Sequence, residues 1–394
     1  MPGKIRSMTF LLIATSTGMS LWFMVAAVLP DMAAEAGVPE TALALLSSAV
    51  QAGFVIGALF IAISGIADRL DPRHLLAFCA VSTSLATLAL LLVEIGGTTA
   101  VALRFLTGAL MAGVYPVGMK LAVGWGTRDR GFLVGILVGA LTAGKATPYL
   151  FAWLGGADWR LVLITGSVIA ALGGGMVLLI GLGPHHARAA SFNPRAITVA
   201  WTDRRIRAAY LGYLGHMWEL YVVWAWVAAA AAASYVYQMG EHEAVSLGKL
   251  TAFLMILAGA PMCIWAGRFA DRIGKARVAT LAMVVSGSTA ILTAITFGGP
   301  VWLTFALMIL WGASVVPDSA QFSALVADYA PPEIAGSLLT FQTALGFGLT
   351  IITVQWAPWV AETFGWPVLL GGLALGPLFG IIGLRPVFGQ RPGD

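Results

Sequence analysis

Charge is what this chain lacks. Only 10% of its 394 residues are Asp, Glu, Lys or Arg, where soluble domains carry about 25%. Cysteine is nearly missing too. Cys79 and Cys263 are the two present, both inside apolar runs, too few for a disulfide framework and without metal-ligand spacing. The short motifs of common enzymes are absent: no Gly-x-x-x-x-Gly-Lys-Ser/Thr phosphate loop, no His-Glu-x-x-His and no Gly-x-Ser-x-Gly. Neither ATP-driven work nor zinc or serine hydrolysis is indicated. No cofactor and no metal is expected, and the chain does not read as an enzyme. The net charge is only +4, and the basic residues are scattered through short loops, which argues against a nucleic-acid partner.

In place of charge the chain has long apolar runs. Hydrophobic residues make up 59% of it, with a mean hydropathy of +0.89. Crossing a bilayer as a helix takes about 20 mostly apolar residues. Twelve runs qualify, at roughly 8–29, 42–66, 75–93, 99–122, 132–154, 160–182, 207–236, 247–267, 278–297, 301–327, 337–360 and 366–384. The first follows Lys4 and Arg6. It is too long for the core of a signal peptide and no small-residue cleavage site follows it, so it reads as a span. The predicted class is an all-α membrane protein. Its parts are an N-terminal six-helix bundle (1–182), a cytoplasmic linker (183–206) and a C-terminal six-helix bundle (207–394).

Loop charge sets the expected orientation. Of 22 Lys and Arg, 17 lie at the N-terminus, in the loops after spans 2, 4, 6 and 8, or at the C-terminus; the odd-numbered loops carry Asp31, Glu35, Glu40, Glu241 and Glu243 instead. Both termini are therefore predicted to be cytoplasmic, in a cell membrane. The halves also repeat. Ala67-Asp68-Arg69 recurs as Ala270-Asp271-Arg272, Ala112-Gly113-Val114-Tyr115-Pro116 as Ala313-Ser314-Val315-Val316-Pro317, and Trp153 and Trp159 as Trp359 and Trp366, at offsets of 203, 201, 206 and 207 residues. Ordered matches at a near-constant offset indicate an internal duplication.

These residues resemble the major facilitator superfamily. Its loop motif, G-x-x-A-D-R-x-G-R-R, is matched by Gly267-Arg268-Phe269-Ala270-Asp271-Arg272-Ile273-Gly274-Lys275. The first-half copy has Ser64 and Asp71 where the motif has glycine. Arg104-x-x-x-Gly108 resembles the family's span-4 motif. Span 5 has Gly135, Gly139 and Gly144, but Lys145 stands where an antiporter motif has proline. Ala112 to Pro116, Trp125 and Arg130-Gly131 are similar to anion-porter branches of the nitrate, cyanate or organic-anion type. The resemblance implies a monomeric two-bundle transporter working by alternating access, with spans 1, 4, 7 and 10 lining its cavity. It also implies a gating role for Asp68, Arg69, Asp271 and Arg272.

Ionisable residues inside a membrane are costly and face a cavity or a partner. Lys145 lies about 5 Å from the middle of span 5. It reads as an anion-binding charge, with Tyr149 one turn on, or as a lysine paired with a carboxylate. Glu219 and His216 share a face of span 7 and suit proton coupling, or else form a structural pair. Asp318 follows Pro317 in span 10 and is a further proton or cation candidate. Arg104, Tyr115, Trp22 and Trp218 complete the predicted substrate set, while Lys120 reads as snorkelling. The function read from sequence is proton-coupled transport of a small anionic solute across the bilayer. The alternative is proton-driven efflux of an amphipathic or cationic compound.

Overall fold

The computed structural model describes residues 2–39, 43–126, 130–155, 158–184, 193–331 and 333–388, and every regular element among them is a helix. Within that set, 11 helices are long and apolar enough to cross a membrane. Span 5, Arg130–Leu154, adds a helix of 25 residues, which completes twelve. The chain divides into two compact units, Met1–Ser191 and Phe192–Asp394.

The first unit holds span 1 (Pro2–Ser20 and Met24–Ala36), span 2 (Ala44–Ser64), span 3 (from Pro72 to Leu92), span 4 (Thr98–Met111 and Tyr115–Gly124), span 5 and span 6 (Trp159–Met176). The second holds span 7 (Arg204–Tyr235), span 8 (Glu241–Ile273), span 9 (Lys275–Ile295), span 10 (Val301–Val315 and Ser319–Tyr329), span 11 (Ala335–Phe364) and span 12 (Trp366–Leu373 and Leu375–Leu384). The sequence repeat is also a repeat of packing. In the first unit span 1 packs on spans 5 and 6, span 2 on span 4, and span 3 on spans 4 and 6. In the second, span 7 packs on spans 11 and 12, span 8 on span 10, and span 9 on spans 10 and 12.

Water gives no drive for helix association inside a bilayer, so close packing must supply it. Glycine permits the closest approach, and both units use it at matching places. A Cβ on Gly108 would fall 1.9 Å from the Val50 carbonyl oxygen of span 2, and one on Gly312 would fall 1.9 Å from that of Met255 in span 8. Large apolar side chains such as Phe60, Phe78, Leu172, Ile295 and Phe379 are left exposed on the outside, as a lipid-facing surface requires.

The structure adds detail to the sequence reading. The linker region carries a short helix, Arg195–Thr202, and span 7 starts at Arg204, capped by Asp203. Spans 1, 4 and 10 are each interrupted by three residues, and span 12 by Ala374 alone. Proline explains two of the breaks, because Pro116 and Pro317 lack the N–H that would bond one turn back. The break at Leu21-Trp22-Phe23 has no proline; its cause is an arginine from another span.

Candidate functional site

Arg104 is fully buried on span 4. Its Nε donates to the Leu46 carbonyl at 3.0 Å, Nη1 to Leu21 at 3.2 Å and Nη2 to Trp22 at 2.8 Å. The last two acceptors are carbonyls of the break in span 1. Carbonyls inside a membrane must find a donor within the protein, and the planar guanidinium reaches several at once. Span 10 carries no equivalent arginine, and span 7 runs unbroken. The sequence reading puts Arg104 in the substrate set. Here three of its donors hold main chain, the Trp22 carbonyl among them.

Trp22 is buried, its ring 5.0 Å from that of Phe54. Lys145, half-buried on span 5, places Nζ 5.3 Å from the centroid of the Trp22 ring, within cation–π range. Tyr149 follows one turn later and is fully buried. The backbone of span 1 comes against this part of span 5 because residue 144 is glycine: a Cβ there would lie 2.1 Å from the Ser16 carbonyl oxygen. Lys145, Tyr149 and Trp22 are thus adjacent in the first unit, with Arg104 behind Trp22. Tyr115 opens the second segment of span 4 and is half-buried.

The second unit gathers acids. Both Glu219 oxygens accept hydrogen bonds: Oε1 from Trp311 Nε1 of span 10 at 2.6 Å, and Oε2 from Ser286 Oγ of span 9 at 3.0 Å. His216 Nδ1 lies 2.9 Å from Asp318 Oδ1 at the break in span 10. The contact is close enough for an ion pair but lacks the alignment of a hydrogen bond. The imidazole clusters with the Tyr213 and Phe322 rings, whose centroids are 6.1 and 5.9 Å away. The helical spacing suggested that His216 would pair with Glu219. Instead the break in span 10 brings Asp318 to the histidine, while Trp311 and Ser286 take the glutamate.

Trp218 departs from its predicted place in the cavity. Its indole donates to the Gly372 carbonyl at 3.3 Å and packs over Gly376, so it belongs to the contact between spans 7 and 12. Sequence reasoning passed over Trp311, Ser286 and Gln342, uncharged polar groups within apolar runs, and Lys249, which is buried in span 8.

The predicted gating residues lie at helix ends. Asp68 and Arg69 occupy a single turn, Ile66–Arg69, set off from span 2 by Gly65 at φ +62°. Asp271 and Arg272 close span 8 ahead of Gly274 at φ +98°. The side chains of Asp68 and Asp271 lie outside the described set, and both arginines are exposed. Lys120 Nζ donates to the Ala67 carbonyl at 2.9 Å and ties span 4 to this turn. In the second unit Lys275 pairs with Asp328 at the end of span 10. Asp71, where the motif has glycine, caps span 3 and grips Arg73, whose Nη1 donates to the Ile180 carbonyl at 2.9 Å. That bond with Arg73 lowers the Asp71 carboxyl to about 2.

No curated protein matches the sequence significantly. Solved structures do resemble its fold. A mutant of the nucleoside transporter NupG aligns with TM-score 0.73 at 14% identity, over 97% of this chain and 100% of its own. The proton:xylose symporter XylE bound to 6-bromo-6-deoxy-D-glucose aligns with TM-score 0.74 at 12% identity, over 100% and 97%. A D-xylose-proton symporter gives 0.75 at 12%, over 99% and 98%. The family described as Major Facilitator Superfamily matches residues 11–352. With that match over most of its length, and two six-span units packed alike, the chain belongs to the major facilitator superfamily.

Proposed function

We propose that this protein carries a small anionic solute across the cell membrane, driven by the proton gradient, by alternating access and as a monomer with both termini cytoplasmic. One observation carries the anion reading: the Lys145 ammonium is held half-buried against the Trp22 ring, beside Tyr149. A cation in surroundings of low dielectric attracts an anion far more strongly than one in water. Proton coupling is supported by the buried His216–Asp318 contact and by Glu219 nearby. Two of the similar folds are described as proton symporters of xylose. Asp68, Arg69, Asp271 and Arg272 bias the conformational equilibrium of the cycle, and Tyr115 adds a polar group to the substrate set.

The test is uptake and binding in proteoliposomes with an imposed proton gradient. Lys145→Gln is expected to weaken anion affinity by about tenfold or more, about 1.4 kcal/mol for each power of ten. Glu219→Gln is expected to abolish gradient-driven accumulation while solute exchange persists. If the double variant recovers what Lys145→Gln lost, the lysine serves only to balance a carboxylate. The reading then moves to efflux of a cationic compound bound by Glu219 or Asp318.

A further inference from the structure

Gln342 of span 11 is 1% exposed, and neither its Nε2 nor its Oε1 has a hydrogen-bond partner among the described residues. Buried amides almost always find one, the more so in a membrane interior where water supplies none. The face of span 11 that carries it is known. Leu338, one turn earlier, accepts a hydrogen bond from the Tyr210 hydroxyl of span 7. Gly346, one turn later, lies so close to Tyr213 that a Cβ there would be 2.3 Å from its ring. Residues four apart share a helix face, so Gln342 is directed at span 7 between Tyr210 and Tyr213. One turn beyond Tyr210, the Tyr213 ring stacks on His216, whose Nε2 also lacks a partner among the described residues.

We propose that Gln342 is a specificity-determining residue, binding a hydroxyl or carboxamide group of the transported solute, and that His216 Nε2 is a second contact for the same polar part of it. The chemistry selects the class. An amide offers a donor and an acceptor side by side. An inorganic anion or a bare carboxylate only accepts, so it would satisfy Nε2 and leave Oε1 unpaired. A group that both donates and accepts satisfies both. Resting on the anion reading above, this narrows the solute to a small hydroxylated or amide-bearing organic acid, as against nitrate, cyanate or a plain fatty acid.

Two measurements test it. The first needs no solute. If the amide has no partner at rest, Gln342→Leu removes an unsatisfied group and the variant melts in detergent at or above the wild-type temperature; a clear fall in melting temperature would overturn the proposal. The second compares uptake of lactate with propionate, and of xylose with a deoxy analogue, in proteoliposomes with a proton gradient. A site built for a hydroxyl rejects the analogue that lacks one. Wild type is expected to favour the hydroxylated member by about tenfold or more in kcat/KM, with Gln342→Leu losing that preference because uptake of the hydroxylated member falls further than that of the deoxy member. An unaltered ratio in the variant, or equal loss for both members, would refute a recognition role. Uptake confined to the uncharged pair would refute the anion reading and still test Gln342 on that pair. If no probe is carried, the melting comparison decides.

Discussion

Arg104 shows how one side chain can set the path of a neighbouring helix. Three carbonyls from two spans converge on it, and lysine cannot replace it: an ammonium is a point charge without the planar fork. Arg104→Lys should leave at least one carbonyl unpaired, at about 1–3 kcal/mol for each, and free Trp22 from its place beside Lys145. The expected result is a lower melting temperature in detergent together with weaker solute binding. If binding weakens with no change in melting, Arg104 touches the solute itself. Much of this residue-level picture could not be read from sequence. Lys145, Glu219, His216 and Asp318 stood out because ionisable groups are rare in apolar runs. Their partners did not, since Trp311 lies 92 residues from Glu219 and only the fold brings them together.

At the scale of the helix, composition dictates most of what forms. Runs of about 20 apolar residues are legible as spans because a bilayer leaves an unpaired backbone no other solution. Prolines mark the breaks in spans 4 and 10 for the same reason that they break any helix. The break in span 1 was invisible: Leu21-Trp22-Phe23 is an ordinary apolar stretch, and its cause sits 82 residues further on, at Arg104. Glycine spacing was visible as a tendency, while the contacts it serves were not. Gly108 and Gly312 make the clearest case, because each meets a carbonyl oxygen of the helix it packs on. Gly108→Ala and Gly312→Ala should each force the two helices apart, with a loss of about 1–3 kcal/mol, as for overpacked cores. Chemical denaturation would read it. Equal losses in the two units are expected from equal geometry; a harmless Gly312→Ala would mean that span 8 gives way easily.

For the whole molecule, the repeated Ala-Asp-Arg turns are the features that a transport cycle would use at a distance from the solute. Asp271 closes span 8 just before the turn at Gly274. If the turn gates the cycle as proposed, a substitution there shifts the balance between conformations, which alters rate without altering intrinsic affinity. Asp271→Asn is expected to slow turnover several-fold while solute binding stays near wild type; a large loss of affinity at normal turnover would place the residue in the solute's path. The break in span 4 has a practical consequence as well. Gly113 lies in it, so close to Cys79 of span 3 that a Cβ there would be 2.3 Å from the thiol sulfur. With only two cysteines in the chain, Cys263→Ser leaves Cys79 as a single native thiol buried against that joint. Its rate of alkylation by a membrane-permeant maleimide is then a built-in clock for the bend. Slow labelling at rest and faster labelling during turnover are expected if span 4 flexes there, and one constant rate if the joint is rigid.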